Sequence, residues 1–484
     1  MADPTTGTGA PGTAPLALRA TFPPVETREW DALARADLKG QDYDKRLLWR
    51  TDEGLTVKPF YRREDLDGLE ALTSAIPDGA SLRSDDAPWQ AVEAPAWPAD
   101  AIRADLLHDA GATAVQELAW AVAEGIDRLA VATDAGTPVD EAAGTLAFVF
   151  AVGSTYFTEI AKLRAARLLW GTAVAAFGPT DPASGAMRVH VRTARANKGT
   201  YDPYTNLLRA TTEAMSAAIG GADTLLVEPH GYEPHLAINV QRILAEEAHL
   251  DAVADPAAGS YYVESLTDAL AREAWAQVQQ IEQAGGYTAA RAAGQLDAHL
   301  TTARAAREKA VSSRRRTLVG VNNYPDLTEH APSAGPFPVP EAPDGLAPLR
   351  LAAPFESMRE RTARHAAATG RTPDVHLLTR GDVRMRMARA NFCLNFFGCA
   401  GLAITQGPDV PADADLVVLC SADAEYVALA QDVVPSTRVP VLVAGNPKDV
   451  VEALTAAGVQ GFVHVQSDAV ATLTQWQDRL GMAK

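Results

Sequence analysis

Three groups of side chains in this 484-residue sequence have types that could do chemistry. EPHGYEPH puts His230 and His235 after a strand-like TLLVE, with Glu228 and Glu233 beside them. Imidazole and carboxylate are metal-ligand types, but a site needs convergent ligands and only these two carboxylates are near, so a solvated loop is expected. His190, Arg192 and Arg195 lie on or just after the strand-like MRVHVRTA, and Lys198, Tyr201 and Asp202 follow in RANKGTYDPY. Their expected role is that of salt-bridged surface residues. Cys393, Cys399 and Cys420 form no CxxC pair and read as buried thiols, which suits a reducing, cytoplasmic compartment. Gly7, Gly9 and Gly12 spell GxGxxG, but no strand precedes them and Pro11 stands where a helix should begin, so no dinucleotide site is read there. Arg314, Arg315 and Arg316 are expected to end a helix, where cations complement its dipole. GxxxxGK[ST], HExxH and GxSxG do not occur.

The elements that must position these groups follow from composition and pattern. The length predicts about three domains and a large core. Formal charge is −18, which argues against a nucleic-acid partner or an anionic membrane, both of which require a basic face. Residues 1–18 are small and Pro/Gly/Thr-rich and read as a flexible tail without the features of a signal peptide. TLAFVFAVGSTYF is too short and interrupted to span a bilayer.

Residues 19–61 form an N-terminal segment, and 62–105 leave little room for regular elements. From 106 onward, helices and strands alternate as parallel pairing requires. A helix runs to Gly136, and a second is expected from Thr137-Pro138 through IAKLRAARLLW to Gly178, broken near Gly153. Two further helices are expected at 264–284 and 287–312. Residues 323–348 are a proline-rich linker. Beyond it, VHLLT, GLAIT, DLVVLC, VPVLVAG and GFVHV alternate with helical patterns, which predicts a doubly wound, flavodoxin-like domain over 349–484.

Several stretches carry a resemblance. LKGQDYDKRLLWRTDEGLTVKPFY, HDAGATAVQELAWAVAEG, FTEIAKLRAARLLW, DPYTNLLRATTEAMSAAIGGADTL, VADPAAGSYYVESLTDALA and VGVNNYPDLTE occur in an order similar to that of the methylmalonyl-CoA mutase family. These are adenosylcobalamin-dependent carbon-skeleton isomerases. The resemblance implies a TIM-type (β/α) barrel followed by a cobalamin-domain fold.

The departures from the family are equally specific. Where the family carries DxHxxG, this chain has RGDVRMRMARANF, and His376 and His464 are expected inside strands. The SxL element becomes Ser421-Ala422-Asp423, and the paired glycines become Gly445-Asn446-Pro447. Only 45 positions separate Tyr61 from Leu106, so the resemblance implies that most of the first half of an eight-stranded barrel is missing and that residues 62–322 hold a truncated or degenerate barrel. The family's active-site histidine would fall at Leu106. His108 lies out of register and is read as a loop histidine making an ordinary hydrogen bond.

The resemblance therefore implies a small, non-catalytic subunit with no catalytic, cofactor or metal residues of its own. Its partner would be a catalytic large subunit that holds adenosylcobalamin and interconverts methylmalonyl-CoA and succinyl-CoA. Trp49, Lys58, Pro59 and Tyr61 are the expected interface residues. A vestigial acyl-CoA contact at the Arg192 group, a binding module outside a mutase complex, and a stand-alone acyl-CoA isomerase remain as alternatives.

Overall fold

The computed structural model describes residues 25–69, 89–329 and 346–483, and the chain divides into a unit ending at Tyr61 and a unit from Arg62 onward. Gly7, Gly9, Gly12 and the 1–18 tail lie outside the described residues, as does most of the expected linker.

In the first unit, α1 (Thr27–Asp37) and α2 (Tyr43–Leu47) precede a two-residue antiparallel ribbon, β1 (Trp49–Arg50) with β2 (Thr56–Val57). Asp42 caps α2 by accepting from the Lys45 amide at 3.0 Å. The Tyr43 hydroxyl donates to Asp31, and Trp30 lies against Phe60 with ring centroids 3.8 Å apart.

The second unit begins with a five-stranded, all-parallel sheet in the order β3-β7-β6-β5-β4. Its strands are β3 (Gln90–Val92), β4 (Ile102–Arg103), β5 (Ala147–Val152), β6 (Arg188–Thr193) and β7 (Thr224–Leu226). Between them run α3 (Ala104–Asp109), α4 (Ala114–Asp134), α5 (Val139–Thr145), α6 (Tyr156–Ala176) and α7 (Pro203–Ile219). After β7 come α8 (Pro234–Arg242), α9 (Tyr261–Gln283), α10 (Gly286–Ala292) and α11 (Gln295–Ser312). Among the described residues, no pairing joins the edge strands β3 and β4.

The long helix expected from Thr137 to Gly178 is in fact α5, β5 and α6. All six residues of β5, AFVFAV, are buried, and a strand covered on both faces loses the two-residue alternation that would reveal it. The expected 287–312 helix is likewise two helices, parted at Gly294, where φ is +76°. The 62–105 stretch supplies the edge strands β3 and β4 despite its irregular appearance.

A second five-stranded parallel sheet follows α12 (Ala353–Thr369), in the order β12-β11-β10-β8-β9. The strands are β8 (Asp374–Thr379), β9 (Ala403–Gly407), β10 (Leu416–Cys420), β11 (Val441–Ala444) and β12 (Gly461–Val463). They match the five expected apolar runs. The helices are α13 (Val383–Gly398), α14 (Tyr426–Val433), α15 (Val451–Ala456) and α16 (Ala469–Arg479). Leu377, Val418 and Leu442 join Phe396, Phe397 and Trp476 in one core. All three cysteines are free and buried. His464 falls one residue past β12 rather than inside it, because the chain turns there with the Ser467 hydroxyl accepting from the His464 amide. No helix among the described residues is long and apolar enough to cross a membrane.

Candidate functional site

Parallel α/β sheets collect function at the carboxyl ends of their strands. In the first sheet those ends hold an ionic network. Arg192, near the end of β6, is fully buried. Its Nε donates to Asp105 at 2.7 Å and its Nη2 to Asp109 at 2.5 Å, both carboxylates lying on α3 after β4. Arg103 closes on Asp105 from the other side at 2.7 and 2.8 Å. Arg195 donates through Nε to Glu228 at 2.7 Å, beyond β7. Burial alone would favour a neutral Arg192, but Asp109, Asp105 and Glu228 together raise its pKa and hold it charged.

Arg192 and Lys198 were expected at the surface, and the structure corrects this. Arg192 is buried where Asp105 and Asp109, 87 and 83 positions away, converge on it, and Lys198 where Glu213 of the next helix faces it. Lys198 Nζ meets both oxygens of Glu213 on α7 at 2.8 and 2.6 Å, and Asn197 donates to the same carboxylate at 2.7 Å. Burial lowers the lysine's pKa and raises the glutamate's, so both move toward their neutral forms. Tyr201 packs under the Arg359 guanidinium, 3.8 Å from its ring centroid. Asp202, at φ +50°, caps α7 by accepting from the Thr205 amide at 3.1 Å.

His108 is also relocated, from a loop to buried α3. Its Nδ1 is 3.0 Å from Glu117 on α4, and its Nε2 lies where a Cβ on Gly153 would be only 3.3 Å away. Glu117 is shared with Lys162 of α6, whose Nζ is 2.7 Å from Glu117, 2.6 Å from Glu159 and 2.6 Å from the Ala151 carbonyl. Burial opposes its charge, but two carboxylates outweigh it and raise the lysine's pKa. Glu159 is held below the usual range, burial being overcome by Lys162 and His108. A lysine with two acids thus stays ionised, whereas Lys198, with one, is driven toward neutrality. Removing one member of such a buried pair generally costs about 3–5 kcal/mol.

His230 and His235 separate. His230 is buried, not solvated as expected, while His235 is exposed on α8. Burial, with Lys198, Arg195, Arg192 and Arg350 nearby, pushes the His230 pKa down to about 2. Among the described residues, no three His, Cys, Asp or Glu side chains group as metal ligands do.

The same carboxyl ends are covered by the chain's own segment 349–356. The Leu349 amide donates to Asp109 O at 2.6 Å, the Leu351 amide to Ala196 O at 3.0 Å, and Glu356 accepts from the Thr200 amide at 2.6 Å. Sequence reading missed Asp105, Asp109, Glu117, Glu159, Lys162, Glu213 and Glu356. Their signal is charge at positions that the helical pattern assigns to a buried face.

In the second sheet, the crevice at the ends of β8, β10 and β11 is filled by side chains. A Cβ on Gly381 would fall 2.0 Å from Glu425 Oε2 and 2.5 Å from Ser421 Oγ. Glu425 accepts from the Asp382 and Ala422 amides at 3.2 Å each. A Cβ on Gly445 would fall 2.4 Å from Arg389 Nη1, and Arg389 pairs with Asp423 at 2.9 Å. His376 lies within β8, its Nδ1 2.9 Å from Thr405 Oγ1 on β9.

The family model for methylmalonyl-CoA mutase matches residues 73–341. The methylmalonyl-CoA mutase small subunit of Porphyromonas gingivalis is 32% identical over 613 aligned positions, covering 95% of this chain and 98% of that protein. This chain belongs to the methylmalonyl-CoA mutase family. The small subunit of Streptomyces virginiae is 36% identical over 400 positions, 78% of this chain but 63% of that protein. The Escherichia coli methylmalonyl-CoA mutase is 40% identical over 226 positions, 45% of this chain and 32% of that protein.

Proposed function

We propose that this chain is the small, non-catalytic subunit of a heterodimeric, adenosylcobalamin-dependent methylmalonyl-CoA mutase, and that it assembles with and stabilises the catalytic large subunit. One observation carries the reading. The polar groups at the carboxyl ends of the first sheet are consumed by one another and covered by segment 349–356. The likeness to relatives named as small subunits agrees with it.

The first sheet is a truncated (β/α) barrel spanning 62–322, and the second is a flavodoxin-like domain over 349–484. An alignment of 613 positions against a chain of 484 residues requires long stretches of the relative that this chain lacks, as a shortened barrel would.

The residues present do not fit cobalamin. An axial imidazole is needed on the loop after β8, where this chain has Arg380-Gly381-Asp382. Glu425 and Arg389 fill the space that a nucleotide tail would enter. Adenosylcobalamin, and the hydrogen abstraction it initiates, are therefore assigned to the large subunit. Trp49, Lys58 and Pro59 are exposed and Tyr61 is half-buried, and they are proposed as part of the subunit contact.

A binding-module reading is the second, favoured by a cleft of about 820 Å³ between α11, α12 and α16. Lys309 and Arg350 stand on its walls beside Glu308, Asp468 and Asp478, so the cleft carries charges of both signs.

Co-expression with the full-length mutase subunit of the same organism tests the proposal. The two chains should co-purify, the complex should isomerise methylmalonyl-CoA, and its turnover should survive His108→Ala. Mutase activity of this chain alone, or failure to co-purify, would refute it.

A further inference from the structure

In the second sheet the strand order reverses at β8, which has β10 on one side and β9 on the other. Open α/β sheets bind ligands in the crevice at such a reversal, often through a phosphate held on backbone amides. Here the Glu425 carboxylate stands at that point. It accepts from the Asp382 amide, after β8, and from the Ala422 amide, after β10, at 3.2 Å each. The Ser421 hydroxyl donates to it as well. The carboxylate lies directly over Gly381, at φ +81°, where any Cβ would collide with it. Donors from two strand ends thus converge on one carboxylate oxygen, as backbone and hydroxyl donors do around a bound oxyanion. They hold Glu425 below the usual carboxylate range, the Ser421 hydroxyl most of all, so the group stays charged.

Neighbouring side chains brace the same crevice. The Tyr426 hydroxyl accepts from the Ser421 amide at 3.3 Å and donates to the Ala444 carbonyl, at the end of β11, at 2.6 Å. Arg389 of α13 lies over Gly445, just past β11, and pairs with Asp423 at 2.9 Å. The ends of β8, β10 and β11 are therefore tied together by this chain's own groups.

A purely local role is the alternative. Glu425 is the last residue of the single 3-10 turn Asp423–Glu425, and its bond to the Ala422 amide is a reciprocal cap. Such a cap needs neither the bond to Asp382, 43 positions away, nor a charge, because glutamine serves in it as glutamate does.

We propose that Glu425 is an internal latch, a carboxylate of the chain itself seated where an external anion would sit, and that it keeps the β8–β10 crevice closed to phosphate-bearing ligands. The closure is then more than the absence of an axial imidazole. A histidine placed after β8 would still meet an occupied crevice.

Equilibrium dialysis of the complete chain against inorganic phosphate, at constant ionic strength, tests the latch. Glu425→Ala should bind phosphate at least about tenfold more tightly than the unaltered chain, because it leaves the amides and the hydroxyl without their acceptor. Adding Ser421→Ala should weaken that binding about tenfold. Glu452→Ala, which removes an exposed carboxylate from α15, should bind no more tightly than the unaltered chain and controls for net charge. Glu425→Gln keeps the cap but not the charge, and should lower the melting temperature by a few degrees. Equal phosphate binding by the unaltered and Glu425→Ala chains would overturn the proposal. So would binding by Glu425→Ala that Ser421→Ala leaves unchanged. If Glu425→Ala does not fold, Glu425→Gln decides, and a melting temperature equal to that of the unaltered chain would leave only a cap and overturn the latch. Every measurement uses this chain alone, so failure here would leave the subunit assignment standing.

Discussion

Buried charge decides most of what individual residues do here. Glu117 joins α3, α4 and α6 through His108 and Lys162, and Arg192 joins the ends of β4 and β6 through Asp105 and Asp109. Each replaces with protein groups the solvation that burial removed, so the network locks the fold. His230 shows the pH consequence. Its folded pKa is depressed to about 2, so the native state binds fewer protons than the unfolded chain below the ordinary histidine value of about 6.5. The stability it permits is complete above that value and falls with decreasing pH, by about 1.4 kcal/mol per unit. Between pH 7 and pH 5, urea unfolding of the chain should lose about 2 kcal/mol more than unfolding of His230→Gln. Glu213, whose pKa is raised, slopes the other way but is common to both proteins, so it cancels. Equal losses in the two proteins would contradict the assignment.

At the scale of elements, close helix-to-sheet packing sets the tolerances. Gly125 in the middle of α4 faces Trp170 of α6 and Phe148 of β5, whose rings pack edge-on at 5.0 Å between centroids. A Cβ there would lie 2.7 Å from Trp170 and 3.0 Å from Phe148. Alanine gains about 1 kcal/mol of helix propensity over glycine, but overpacking a rigid aromatic pair costs about 1–3 kcal/mol. Gly125→Ala should therefore lower the melting temperature by a few degrees, and Gly144→Ala, which meets open space within α5, isolates the helix-propensity contribution. A Gly125→Ala protein more stable than wild type would show that the two rings move aside.

For the molecule as a whole, β3 and β4 end the first sheet among the described residues, and on the proposed reading a partner shares in the chain's stability. A partner that binds only the folded chain stabilises it by mass action, by about 2.7 kcal/mol at a hundredfold excess over Kd. Addition of the large mutase subunit should raise the chain's melting temperature, more at higher subunit concentration. An unchanged melting curve, with binding shown separately, would mean that the partner serves orientation rather than stability.

What the sequence determined by itself was the order of elements where patterns are periodic and the family to which the chain belongs. The five apolar runs after residue 372 became β8 to β12 because short β-branched runs bounded by glycine and proline have few alternatives. The absence of a histidine from the loop and helix after β8 was legible because RGDVRMRMARANF contains none. Tertiary structure decided two other things. AFVFAV became a central strand because burial on both faces erases alternation. Arg192 and His230 became interior groups because the charges around them come from 32 to 120 positions away, which no local window contains, whereas Lys198 is met by Glu213 15 positions on, across a loop and a turn of α7.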